Sequence, residues 1–338
     1  MQVLVNGIGN IGTTILHLLV RYKSDLGIDK IYANKNTLKP WQLADMDYLQ
    51  AQGIILTSPK KENGFADFGT IIGQVDYVFE CGANGSAIKN KSLYFAHKNI
   101  QGISAQGSEK GFGISYMSGV NDDLICREKF VHVVSCNTHG TAAILSTLAG
   151  KKLENLNWAD CVVVRRSEDL GNHERLVSAN VVARHLDSQI GTHHAIDVTD
   201  MYKTIGVDCN LTSSDITTPS QLMHAVRFHL VLKNKIDKNE ITELIAQNPY
   251  IATTKKFDSN IIFEQGRRYG FNGRIFSHAI VVSENLLLTE NTIKGWAFVP
   301  QEGNSIISTL HAFLLQMKLE NSTDLIQKLQ SDLLRNEW

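Results

Sequence analysis

Val3-Leu4-Val5-Asn6-Gly7-Ile8-Gly9-Asn10-Ile11-Gly12 joins an apolar run to three glycines spaced G-x-G-x-x-G, and residues 13–22 then follow a helical pattern. Strand, glycine turn and helix in that order make the phosphate-cradling unit of a dinucleotide-binding fold. The first glycine permits the tight turn, the second lets backbone approach a pyrophosphate, and the third lets helix and strand pack closely. The helix N-terminus adds N–H donors and a partial positive charge. Gly7, Gly9 and Gly12 are therefore candidate cofactor residues. A second strand is expected over 30–33. Where such folds place an acid for a ribose hydroxyl, about 20 residues after the glycines, this chain reads Ala33-Asn34-Lys35. A cation there suits a 2′-phosphate, so Lys35 joins the set and the expected cofactor is NADP or NAD.

Working outward, apolar runs at 77–80, 101–104 and 131–135 read as buried strands, with a helix over 87–97. This alternation predicts a parallel sheet flanked by helices. After about residue 148 the texture changes. Val- and Ile-rich strands are expected at 160–165, 225–232 and 279–282, with helical segments at 241–247 and near 175–185. That pattern fits a mixed or antiparallel sheet. From about residue 305 the sequence reads as one or two amphipathic helices. The expected fold is α/β, a Rossmann-type parallel-sheet domain followed by an α+β domain.

The 338 residues suit two domains. Lys and Arg total 33 against 34 Asp and Glu, so the net charge of −1 carries no footprint for nucleic acid or an anionic membrane. No apolar run approaches the roughly 18 residues of a membrane span. The five cysteines are odd in number and form no C-x-x-C pair, which argues against a disulfide scaffold or a zinc site. With no basic leader ahead of the first strand, a reducing cytoplasm is the expected compartment.

Ser135-Cys136-Asn137-Thr138-His139-Gly140 follows an apolar strand and opens into a helix over 142–148. A thiol at a helix N-terminus is favoured as the nucleophilic thiolate. Such a nucleophile needs a base and an oxyanion stabiliser. His224, just before the strand at 225–232, is the preferred base, although spacing alone leaves His193, His194 and His229 open. Arg165-Arg166 ends a strand, and Thr192-His193-His194 reads as a polar loop; both could hold an anion. Adjacent strand residues face opposite sides, so the two arginines are expected to serve different partners.

In order and spacing, these motifs resemble the archaeal-type (type II) glyceraldehyde-3-phosphate dehydrogenases. The matching pieces are V-N-G-I-G-N-I-G at 5–12, Q-G-S-E-K at 106–110 and V-V-S-C-N-T at 133–138. V-R-R at 164–166, T-H-H at 192–194, L-M-H at 222–224 and Q-E at 301–302 follow. The resemblance spans essentially the whole chain. It implies a nucleotide domain of residues 1–137 completed by 303–338, a catalytic domain of 138–302, and a homotetramer. It implies Cys136 as nucleophile and His224 as general base. It places Asn10, Ile11, Gly107, Arg166 and Gln301 against the cofactor, and Lys35 near its 2′-phosphate. Ser135, Asn137, His193 and His194 fall at substrate positions; Thr138 and His139 stand beside them, and Arg165 is a candidate phosphate ligand. The implied partners are a small phosphorylated aldehyde and inorganic phosphate, with no metal, and the implied setting is glycolysis or gluconeogenesis.

The chain departs from this family around the substrate. His139 stands where a second threonine is usual, Ser167-Glu168-Asp169-Leu170 follows the double arginine, Ala195-Ile196-Asp197 follows His194, and Pro300 precedes the Q-E pair. These departures motivate a second reading, a cysteine-dependent semialdehyde dehydrogenase or acyl-phosphate reductase with another substrate. A third is a nucleotide-binding redox sensor.

Overall fold

The structure, a computed structural model, describes residues 1–60, 64–167, 181–220, 222–301 and 303–338. The chain divides into two compact units. The first comprises Met1–Ser118, Asp122–Val133 and Ser308–Ile326; the second comprises Gly119–Asn121, Val134–Ile307 and Gln327–Trp338.

The first unit is built on β1 (Gln2–Asn6), α1 (Asn10–Arg21), β2 (Lys30–Asn34), α2 (Leu43–Ala51), β3 (Ile55–Ser58), β4 (Ala66–Asp67), α3 (Phe68–Ile71), β5 (Tyr77–Glu80), α4 (Ser86–Ala96), β6 (Gly102–Gln106), β7 (Ile114–Tyr116), α5 (Asp122–Ile125) and β8 (Phe130–Val133). Its eight described strands form one sheet in the order β4-β3-β2-β1-β5-β6-β8-β7. Every neighbouring pair is parallel. Strands β1, β2, β5 and β6 are almost continuously buried because helices must cover both faces of a parallel sheet. One core gathers Leu4, Val78 and Ile103 from the sheet with Ala87 and Tyr94 of α4. The chain winds from β1 outward to β4 and returns to β5 on the other side of β1. The reversal lies between β1 and β5, where Asn6 pairs with Glu80, and a crevice at such a switch point is where open α/β sheets take ligands.

The second unit holds α6 (Cys136–Ala149), β9 (Leu156–Arg165), β10 (Val181–Val182), α7 (His193–Lys203), β11 (Leu211–Thr217), β12 (His224–Leu232), α8 (Lys238–Gln247), β13 (Ile251–Thr254), α9 (Ser259–Tyr269), β14 (Ala279–Val282), β15 (Leu287–Thr289) and β16 (Thr292–Val299). The described strands run β10-β11-β9-β12-β16-β14-β13, with β15 on β16. Both parallel and antiparallel pairs occur, so this sheet is mixed, as expected. In β12, His224, Val226, Phe228, Leu230 and Leu232 alternate into the interior, the period-2 pattern of a half-buried strand. Helix α6 packs on β9, β12, β14 and β16 and is buried on nearly all sides. Gly140 makes that closeness possible, since a Cβ there would meet Val299 Cγ2 at 2.5 Å.

Helices α10 (Ile306–Gln316) and α11 (Ser322–Leu333) end the chain, at the place where amphipathic helices are expected. From Ser308 α10 belongs to the first unit, where Ala312 packs with Tyr116, Ile125 and Val131. Among the described residues, no helix is long and apolar enough to cross a membrane.

Three local expectations need correction. His193 and His194 are not in a loop but open α7, with Thr192 at its N-cap. The helix after the cysteine begins at Cys136 itself rather than near 142. Of the helical segment expected near 175–185, residues 175–180 lie outside the described residues, and Val181–Val182 pair with β11 as a strand.

Candidate functional site

Three glycine turns lie at the C-terminal edge of the parallel sheet. After β1, Gly7 has φ +107, and a Cβ there would meet the Cys81 carbonyl oxygen at 2.6 Å. A Cβ on Gly12 would meet the Gly7 carbonyl at 2.0 Å, whereas one on Gly9 would touch nothing within 4 Å. The first and third glycines are thus required by packing, and the second leaves the backbone open. Asn10 and Ile11 begin α1, which has neither a side-chain cap nor an acid in its first turn. Gly107, after β6, has φ +85 and equally open space, and its carbonyl contacts His132 Nε2 at 2.6 Å. These open backbone turns, with an uncapped helix start, fit a dinucleotide.

The buried Glu80 ties the turns together, a role the sequence reading missed. Its Oε2 accepts from Asn6 Nδ2 at 2.7 Å, from Asn90 Nδ2 at 3.0 Å and from the Tyr94 hydroxyl; Oε1 accepts from the Gly82 N–H at 3.0 Å. Glu109 accepts the Gly85 N–H at 2.5 Å at the start of α4. At the end of β2, the Asn34 amide donates to Asn6 and Asn36 and its Oδ1 accepts from Thr57. Lys35 Nζ donates to the Ile8 carbonyl at 3.2 Å, so this cation lies over the glycine turn. Burial, then the charge of Lys39, lowers the Lys35 pKa.

In the second unit Cys136 is partly exposed at the first position of α6. Ser135 is the N-cap residue, but its hydroxyl exchanges a hydrogen bond with Thr138 Oγ1 at 2.9 Å instead of capping a backbone N–H. No acid occupies the first turn of α6. Asn137 is 4% exposed, and its Oδ1 has no partner among the described residues. Thr138 and His139 are fully buried. His139 therefore sits in the interior rather than in an open pocket: Nδ1 contacts the Ser135 carbonyl at 3.1 Å and its ring meets His278 edge-on.

His224 is buried as the first residue of β12, a strand on which α6 packs. The preceding Met223 has φ +38, a strained conformation that fixes how the chain enters the strand. His224 Nδ1 accepts the Arg166 N–H at 3.0 Å. Burial, then the charges of Arg166, His194 and Arg165, holds its pKa well below the ordinary histidine value. A neutral imidazole whose Nδ1 accepts carries its proton on Nε2. In this tautomer Nε2 presents a donor.

Arg165 is the last residue of β9 and Arg166 follows it, and the two have different surroundings. Arg165 Nη1 reaches Asp215 Oδ2 at 3.3 Å, and His194 Nε2 reaches the same oxygen at 3.0 Å. His193 lies against His194 with ring centroids 3.9 Å apart, and burial followed by the His194 charge lowers its pKa to about 4. Burial pushes the Asp215 carboxyl up, but His194, Arg165 and His193 outweigh it and lower the pKa overall. His193, His194 and Asp215 offer metal-competent atoms within 4.8 Å of one another, although no metal was expected; Arg165 already neutralises the carboxylate. Arg166 lines a separate shallow cleft with Arg274, Gln301, Met223, Phe263 and Pro300. Asp215 was also missed, and an acid on the buried side of an alternating strand was the available signal. Gln221, Glu302 and residues 168–180 lie outside the described residues.

The chain is similar along nearly its whole length to archaeal proteins named glyceraldehyde-3-phosphate dehydrogenase. That of Methanobacterium bryantii is 22% identical over 331 residues, covering 94% of each chain. That of Saccharolobus solfataricus is 22% identical over 335 residues, covering 96% of this chain and 95% of its own. That of Saccharolobus islandicus strain M.14.25 is 23% identical over 340 residues, covering 97% and 96%. No family model matches the chain.

Proposed function

We propose that this protein is an NAD(P)-dependent dehydrogenase that oxidises glyceraldehyde 3-phosphate through a thioester on Cys136 and releases 1,3-bisphosphoglycerate. The observation that carries the reading is a partly exposed cysteine at an uncapped helix start, on a helix that packs against the strand opened by a buried histidine of fixed tautomer. Similarity to the archaeal dehydrogenases supplies the substrate class.

The cofactor, when bound, supplies the hydride acceptor; Gly7, Gly9, Gly12 and Gly107 would carry its backbone contacts, with Asn10 and Ile11 at the helix start. Lys35, with no carboxylate at the end of β2, supports use of NADP as well as NAD. Arg166 and Gln301 line one cleft and are assigned to the cofactor by the same resemblance.

The Cys136 thiol loses its proton to solvent, and its sulfur forms a bond to the aldehyde carbon. The carbonyl oxygen becomes an alkoxide, which the Nε2–H of His224 stabilises as a preorganised donor. As the alkoxide collapses to a carbonyl, the carbon surrenders its hydride and a thioester remains. Attack by inorganic phosphate breaks the carbon–sulfur bond, returns the thiolate and releases the acyl phosphate. Arg165, His193 and His194 hold phosphate groups; His194 is oriented by Asp215. A homotetramer, with residues 1–137 and 303–338 as the nucleotide domain, belongs to the same proposal.

The test is NAD(P)H formation from glyceraldehyde 3-phosphate with and without inorganic phosphate. Sustained turnover only with phosphate is expected. Equal turnover of phosphorylated and unphosphorylated aldehydes would contradict the substrate assignment.

A further inference from the structure

Cys136 lies between two peptide planes, and each plane carries a side-chain donor in addition to the helix's own bonds. The plane joining Ser135 to Cys136 is held at the Ser135 carbonyl, which takes the backbone N–H of His139 at 2.9 Å and its ring Nδ1 at 3.1 Å. The carbonyl is only an acceptor, so Nδ1 carries the proton. The plane joining Cys136 to Asn137 is held at the Cys136 carbonyl by Asn304 Nδ2 at 2.9 Å. The second N–H of that amide donates to the His278 carbonyl at 3.0 Å. Both partners being carbonyl oxygens, the amide can face them only with its nitrogen. The buried Asn304 Oδ1 is left without a partner among the described residues. A structure that accepts an orphaned acceptor to keep both donations is using them.

The contacts close into a ring. His278 presents its carbonyl to Asn304 and its ring to His139, with centroids 4.9 Å apart, and stacks on Tyr250 at 4.6 Å. Neither ring nitrogen of His278 has a partner among the described residues. It serves as an aromatic wall behind His139.

We infer that Asn304 and His139 are positioning residues: by pinning the two peptide planes that flank Cys136, they fix its φ and ψ and so the direction in which its sulfur is presented. With both planes held, only χ1 of the cysteine remains to be set, and reactivity depends on such placement to within fractions of an ångström. His139, which departs from the family's threonine, thus acts on the nucleophile from behind. The inference rests on the assignment of Cys136 as the nucleophile.

The test is the rate at which iodoacetamide alkylates Cys136, followed at the Cys136 peptide by mass spectrometry, a readout that needs no dehydrogenase activity. In a helix, threonine can donate to the carbonyl four residues back, as Thr147 does to Ala143 in α6 at 2.6 Å, whereas valine of the same shape cannot. His139→Thr and His139→Val leave equal space, so a purely space-filling role predicts equal rates. The inference predicts His139→Thr to react about fivefold faster than His139→Val, the factor of one net hydrogen bond. Asn304→Leu should slow alkylation by a similar factor or more and lower kcat without moving the KM for NAD(P). His278→Phe, which keeps the wall, should react as the unaltered protein does. Equal rates for the threonine and valine variants, compared where both are folded by circular dichroism, would overturn the inference. Normal alkylation differences in a protein that turns over no aldehyde would instead refute the dehydrogenase reading and leave the positioning intact.

Discussion

The glycine turn after β1 and the cysteine turn before α6 are built by opposite means. Each leads into a helix whose N-cap residue makes no side-chain cap and whose first turn holds no acid. The first turn works by absence: two of its glycines occupy space where a Cβ would strike a carbonyl, and the third leaves the backbone bare. The second works by addition, with hydroxyl, imidazole and amide groups gathered around Cys136 from residues up to 168 positions away. A turn made by omission has room for a long anionic ligand along its backbone. A turn made by side-chain bonds can aim one reactive atom.

Removing that atom should have the largest effect. Cys136→Ala is expected to lower kcat by at least about a thousandfold, as loss of a covalent nucleophile does, while the cofactor Kd measured by fluorescence titration stays unchanged. Residual activity of a few per cent would end the contrast between a binding turn and a reacting one. At His224 the tautomer makes a narrower claim. His224→Ala should reduce kcat about a hundredfold or more, as removal of an oxyanion donor does, and His224→Asn, which keeps an N–H donor, should recover part of it. If asparagine is as damaging as alanine, His224 accepts the proton after all.

On the other side of the comparison, Gly12→Ala drives a Cβ into the Gly7 carbonyl. Cofactor affinity should fall about tenfold or more, with no change in Cys136 alkylation. Lys35→Ala should weaken NADP alone, by about tenfold for one charge-assisted contact, and equal losses for NAD and NADP would remove it from the 2′-phosphate.

Acid should act mainly through buried and half-buried histidines. His193, His224 and His278 have pKa values lowered in the folded chain, principally by burial, so the unfolded chain binds more protons as the pH drops. Their contribution to stability is complete above the unfolded value of about 6.5. It is lost as the pH falls from there through the folded values, which for His193 is about 4. Tm is therefore expected to decrease between pH 7.5 and 5. A flat Tm over this interval would contradict it.

What the sequence disclosed follows the same division. A turn made of glycines is written in consecutive letters, and Gly7, Gly9 and Gly12 could be read directly, as could the parallel sheet around them. Cys136 and the histidines could be named from residue type. The partners that give them orientation could not. Asn304 has no local pattern that marks it, and its importance is visible only in two carbonyls brought to it by folding. Glu80 stands in an ordinary apolar strand end, and only pairing with β1 brings it to Asn6. The fixed tautomer of His224 depends on a backbone N–H from a neighbouring strand's end, which no side-chain pattern encodes. The helix opening at His193 and His194 is not legible in the sequence because its first turn is polar; burial against the sheet supplies what local propensity does not.

The most direct test of the account is to trap the thioester. The protein is mixed with glyceraldehyde 3-phosphate and excess NADP or NAD in the absence of phosphate, quenched in acid and digested for mass spectrometry. The account predicts a burst of one NAD(P)H per subunit and a phosphoglyceroyl adduct on the Cys136 peptide that disappears when phosphate is added before the quench. A burst with no adduct on Cys136, or an adduct on another residue, would contradict it.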